Sequence, residues 1–199
     1  MEKNLKKYLF NPFEFIAGGK ALLVGVSIIL LTGLTSNFSA MHFDGVIDMH
    51  FPFPSKLHVH LLEGVIDWLI LSIILSLTGI ILSVSRVRMI DIFGTLAFAR
   101  WPMLPVALMG LFVNAEGANK YIMYTFLKQG ESVVLKSHEL PVFIIFLLFT
   151  LLLSIWMIVL FYKAYTISCN LKGIKAVVSF IIGLLIAETL SKLVLSYLY

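Results

Sequence analysis

PVFIIFLLFTLLLSIWMIVLFY, residues 141–162, holds no charged side chain along its whole length. At about 1.5 Å of rise per residue, a helix of this length spans roughly 33 Å, close to the thickness of a bilayer's hydrocarbon core. In lipid every backbone amide and carbonyl must be satisfied by the chain itself, which a helix does with its own i to i−4 bonds. The stretch therefore predicts a transmembrane helix.

Four further apolar blocks surround it. They are Ala21–Ala40 (ALLVGVSIILLTGLTSNFSA), a block from about Leu62 to Ser85 (with VIDWLILSIILSLTGIILSVS), Ile92–Asn114 (IFGTLAFARWPMLPVALMGLFVN) and Ala176–Leu198. The third is the least hydrophobic. With 60% hydrophobic residues, 13% charged residues and a mean hydropathy of +0.99, the 199-residue chain carries more apolar surface than a soluble domain of its size can hide. The expected fold is all-α: a polytopic bundle of five transmembrane helices, forming one domain over residues 1–199 with no Ser/Gly/Pro-rich linker to divide it. The single cysteine, Cys169, excludes an internal disulfide and any CxxC motif, and reads as an ordinary small residue near a helix end. The net charge of +4 does not imply nucleic acid, because the basic residues flank apolar spans, where topology accounts for them.

Those basic residues set the orientation. With the N-terminus inside, the inner segments hold Lys3, Lys6, Lys7, Lys20, Arg86, Arg88, Lys163, Lys172 and Lys175, against Lys56, Lys120, Lys128 and Lys136 outside. This asymmetry places the N-terminus in the cytoplasm and the C-terminus outside. The first span also has the look of a signal peptide, but Phe38 fits a cleavage site poorly and a retained helix is expected. The lead-in LFNPFEFIAGGK is expected in the inner interface, with Pro12 starting a helix. A second interfacial segment, NKYIMYTFLKQGE, is expected between spans three and four, ending at Gly130.

All five histidines fall on the outer side, four of them in HFDGVIDMHFPFPSKLHVHLLEGVID, residues 42–67. This polar island reads as an outward-facing loop leading into span two, with Phe51-Pro52-Phe53-Pro54 as a turn dipping into the interface. Its ligand-type residues are His42, Asp44, Asp48, His50, His58, His60 and Glu63. They carry the alternative of a zinc or other divalent-metal site on His50, His58 and His60, although no HExxH motif is present and no cofactor is otherwise implied. FDGVID at 43–48 and LEGVID at 62–67 are a local echo, too short to define a repeat architecture.

Five ionisable residues lie in or beside the spans: Glu63, Asp67, Arg100, Glu188 and Lys192. A charge at the bilayer centre costs at least about 2.5–3.5 kcal/mol on insertion scales, so such groups face protein or water and pair. Glu63 and Asp67 are four residues apart, as are Glu188 and Lys192, so each pair shares a helix face. The expectation is a polar network in the outer half of the bundle, with Arg100 meeting Glu188 and Lys192 meeting Glu63 or Asp67. Pro102 and Pro105, beside Arg100, are expected to kink span three.

The segments NPFEFIAGGK before span one, Arg86 and Arg88 closing span two, and IDIFGTLAFARWPMLPVAL at 90–108 together resemble the Ypt-interacting-protein (Yip) domain family. Gly94, Ala97, Ala99 and Pro102 carry the match in span three, and the resemblance extends over about residues 8–197. It implies a five-span membrane protein with a cytoplasmic N-terminus. Eukaryotic members work with small Rab-type GTPases through a sizeable N-terminal region. This chain has only about twenty residues before span one and looks like the short prokaryotic type, so that activity is not carried over. The expected location is the cytoplasmic membrane of a prokaryote.

No GxSxG, GxxxxGK[ST] or GxGxxG motif is present, and no catalytic residue is assigned. Three functions follow as expectations. The first is a non-enzymatic protein that organises lipid or binds a membrane-protein partner or a second copy of itself. The second is a channel or transporter component using the intramembrane Arg/Glu/Lys network. The third is a metal-dependent membrane enzyme.

Overall fold

Five helices in the computed structural model, which describes residues 7–51, 55–130 and 132–198, are long and apolar enough to cross a membrane. They are α1 (Gly18–Ser39), α2 (Leu57–Leu82), a third span broken into α3 (Met89–Phe98) and α4 (Met103–Gly110), and, after the shorter α5 (Ala115–Leu127), α6 (Glu139–Ser168) and α7 (Gly173–Leu195). The described residues contain no strand, only an isolated antiparallel bridge between His42 and His50. The expected Phe51–Pro54 turn falls mostly on residues 52–54, and Lys3 and Lys6 precede residue 7, so these lie outside the described residues.

The third span, the least apolar, sits at the centre. In its membrane-length window 61% of residues are buried, against 22–33% in the other four spans. This explains the hydropathy order: a helix whose neighbours are helices does not need the Leu/Ile surface that lipid demands, whereas α6, the most apolar, is also the most exposed. Close approach is achieved with small residues. Gly25 of α1 lies against the backbone of Ala97 and Phe98, and Gly94 of α3 lies against the Gly18 carbonyl, so a Cβ at either site would collide with backbone. Backbone-to-backbone packing of this kind is what helices in lipid use in place of a hydrophobic driving force.

The prolines do more than kink the third span. Between α3 and α4 the chain tightens into i to i−3 bonds, from Arg100 N to Ala97 O (3.3 Å), Trp101 N to Phe98 O (3.1 Å), Met103 N to Arg100 O (3.0 Å) and Leu104 N to Trp101 O (3.1 Å). Pro102 has no N–H to continue an α-helical ladder, and the 3₁₀-type bonds satisfy carbonyls that a break would strand. The break puts Arg100 at the heart of the bundle, 4% exposed.

Two expected boundaries move furthest. α2 begins at Leu57, so His58 and His60 are helical rather than in a loop. α6 continues to Ser168, beyond the expected end at Tyr162. Hydropathy marks where lipid begins, and these helices extend past that level on polar residues. The lead-in packs on α3 and α6. Trp156, well inside α6, donates its Nε1–H to the Leu9 carbonyl (3.0 Å) and packs on Trp101 in the span-three break, with ring centroids 4.6 Å apart. Phe13, buried, meets Phe98 edge-on. Of the lead-in's aromatic residues, Phe10 and Phe13 thus pack on α6 and α3, while Phe15 is exposed.

Candidate functional site

α1 ends at Ala40 in the left-handed region (φ 50°), and Met41 N returns to Ser36 O at 3.0 Å. That cap turns the chain back over the helix ends. His42 and His50 then exchange both backbone N–H···O bonds at 2.9 Å, closing residues 42–50 into a loop. The loop is not solvated along its length: Met41, His42 and Val46 are fully buried and Phe43 nearly so. The start of the polar island, residues 42–50, therefore folds into the bundle mouth. Its apolar Phe43 and Val46, set among the loop's histidines and acids, supply the reason.

Carboxylates from the helices hold this plug. Glu63 of α2 accepts from His42 Nδ1 at 2.6 Å and from the Phe43 amide at 3.2 Å. Glu188 of α7 accepts from the Ile47 amide at 3.0 Å, and Gly45 comes so close that a Cβ there would meet Glu188 Oε1. Lys192, one turn along α7, pairs with Asp48 of the loop and stands 3.5 Å from Glu188. Burial opposes ionisation of Asp48, but the Lys192 ammonium and the Met49 amide outweigh it and, with His50, hold the carboxyl below its ordinary value.

Deeper in the bundle, Asp67 accepts from Arg100 Nη2 at 3.2 Å and from the Ser191 hydroxyl. The pairing thus differs from the expected one. Arg100 meets Asp67 and not Glu188, and Lys192 meets Asp48 and Glu188 and neither Glu63 nor Asp67. The span-three break turns Arg100 toward α2, while Glu188 and Lys192 are taken up by the loop. Sequence reading missed His42, Asp48 and Ser191 as members. Of these, only Ser191 carries a signal, lying a helical turn from Glu188.

The expected metal set does not assemble. His58 is exposed on α2, and His50 is a surface residue 2.7 Å from Asp44 and 3.8 Å from Asp48. His60 points the other way, buried, its ring centroid 4.3 Å from that of His42 and its Nδ1 4.0 Å from Glu63 Oε2. On a helix, residues two apart diverge, so His58 and His60 cannot share a ligand. The chain instead brings together two groups whose donor atoms lie within 4.8 Å of one another: buried His42, His60 and Glu63, and peripheral Asp44, Asp48 and His50.

At the same end of the bundle, a groove of about 960 Å³ opens between the C-terminal ends of α1 and α4 and the short helix α5. Asn114 caps α5 by accepting from the Gly117 amide at 3.0 Å, and Ala115 and Ala118 bury the inner side of that helix. Phe38, Leu111 and Met123 give the groove apolar lining, and Asn119, Lys120 and Gln129 give it polar lining. Lys120 pairs with Glu116 at 2.6 Å. Compared with protein-family models, with curated proteins and with solved structures, the chain finds no match in any of the three.

Proposed function

We propose that the chain is a Yip-type integral membrane protein that binds and organises phospholipid at the outer leaflet, without catalysis. Its N-terminus is cytoplasmic, its C-terminus is outside, and its home is the cytoplasmic membrane of a prokaryote. The observation that carries this reading is the groove between α1, α4 and α5. Its volume matches that of pockets for small organic ligands, about 300–1,000 Å³. Its lining divides into apolar side chains suited to an acyl chain and amide, ammonium and carboxylate groups suited to a headgroup. The excess of basic residues on the other side of the bundle supports an outer position for this groove.

The test is lipid retention by the full chain purified in mild detergent, read by native mass spectrometry. The comparison is with a variant filled by Leu111→Trp and Met123→Trp. Wild type is expected to retain phospholipid that the filled variant loses, with thermal stability unchanged. Equal retention, or none, refutes the lipid reading. A protein or a second copy bound at the groove replaces lipid as occupant. Specific solute flux in liposomes that is lost on Glu188→Gln establishes transport in its place, and chelator-sensitive substrate turnover establishes an enzyme.

A further inference from the structure

We propose that His42, His60 and Glu63 form a buried site for a divalent transition-metal ion, zinc being the first to test. The donor set is two imidazoles and one carboxylate, the three-ligand pattern that zinc accepts when a fourth position is left for water. All three side chains are fully enclosed.

The geometry supports a shared ion in three ways. Metal–ligand distances of about 2.0–2.2 Å in a tetrahedral site put donor atoms roughly 3.3 Å apart. The separations here bracket that spacing, with His42 Nδ1 at 2.6 Å and His60 Nδ1 at 4.0 Å from the two Glu63 oxygens. His60 Nδ1 is also a buried nitrogen with no hydrogen-bond partner, although it lies on the carboxylate side of its ring. Finally, His60 Nε2 is 3.2 Å from the Ser55 hydroxyl. Donation of the Nε2–H to that oxygen leaves a lone pair on Nδ1 directed toward Glu63. An outer-shell oxygen fixing the tautomer in this way is the usual companion of a metal-bound histidine.

Charge points in the same direction. Glu63 and Asp67 are both fully buried, and Arg100 reaches Asp67 through Nη2. Glu63 has the two imidazoles beside it, where a cation of either kind, proton or metal, balances the carboxylate. The 2.6 Å His42–Glu63 contact holds a proton where the metal would sit. A cavity of about 10 Å³, lined by His60, Arg100, Phe43, Gly33, Gly64 and Met103, adjoins the group. It has room for about one water beside His60.

The experiment uses the full chain in detergent, stripped with chelator and titrated with zinc and with cobalt(II). Wild type is expected to bind one ion per chain, to gain thermal stability with zinc, and to show the intense visible absorption of tetrahedral cobalt. His60→Gln and Glu63→Gln are expected to weaken binding by more than the roughly 10–100-fold that loss of an outer-shell group costs. His58→Ala and His50→Ala are expected to leave it unchanged. Absence of stoichiometric binding by wild type overturns the proposal, as does full affinity in His60→Gln. So does loss in His50→Ala alone, which would assign the ion to Asp44, Asp48 and His50. Where His60→Gln does not fold, the wild-type cobalt spectrum decides, since the weak bands of six-coordinate cobalt also overturn it.

Discussion

Replacing Arg100 by leucine removes one half of an ion pair whose other half, Asp67, has no exposure at all. The guanidinium contact is 3.2 Å, and the Ser191 hydroxyl is left as the hydrogen-bond donor to the carboxylate. Breaking a buried pair on one side costs about 3–5 kcal/mol, because an uncompensated charge stays behind. On the scale of a 150–250-residue domain, where 1 kcal/mol moves the midpoint by about 2–4 °C, this lowers Tm by roughly 6–20 °C. Removing both partners, Arg100→Leu with Asp67→Leu, leaves no such charge and recovers most of the loss. Thermal unfolding in one detergent, followed by fluorescence-detected size exclusion for wild type, both single variants and the double variant, gives the coupling directly. A shift under about 2 °C for Arg100→Leu, well below that range, refutes a buried and mutually dependent pair. A double variant as unstable as the sum of the singles does the same.

Two other outcomes follow from the packing and the loop. Gly94→Val drives a side chain into the Gly18 carbonyl and the Leu22 amide, both backbone, so α1 and α3 must separate at a cost of about 1–3 kcal/mol or more. Gly19→Val, where a Cβ meets nothing within 4 Å, leaves the purified protein monodisperse, and equal behaviour of the two variants contradicts the close crossing. The Asp48 carboxyl is held below its ordinary value of 3.8, so its pairing with Lys192 stabilises the fold at neutral pH, and that contribution is lost as pH falls below 3.8 toward the lowered value. Melting curves across that interval should be flatter for Asp48→Asn than for wild type, and identical slopes would count against the loop staple.

The five spans were legible because lipid imposes length and apolarity on each helix separately, and α6 shows both without interruption. Pro102 and Pro105 pointed to a kink in the third span, though not to its division into two helices. What the sequence did not reveal was which charge meets which. Helical spacing fixes the face on which Glu63 and Asp67 lie, but the partner depends on how neighbouring helices rotate. That rotation is set by contacts such as Gly25 on Ala97, which involve no charge at all. The loop was misread for a related reason: its acids and histidines look solvated one by one. Phe43 and Val46, spaced between them, are what sink it.

The inward stripe of α2 shows how these parts depend on one another. His60, Glu63, Asp67, Ser72 and Ser76 recur at three to five residues and face the bundle, while Ile73, Leu77, Ile80 and Ile81 face outward. Such a stripe is tolerable in lipid when its carboxylates find partners from other segments, while Ser76 bonds back to the Ser72 carbonyl of its own helix. Arg100 reaches it because the third span is broken, Ser191 because α7 packs along α2, and His42 because the Ala40 cap folds the loop inward. Remove the cap, and His42 and the Phe43 amide leave Glu63. The loop is therefore as much a part of the bundle's core as the helices that carry it.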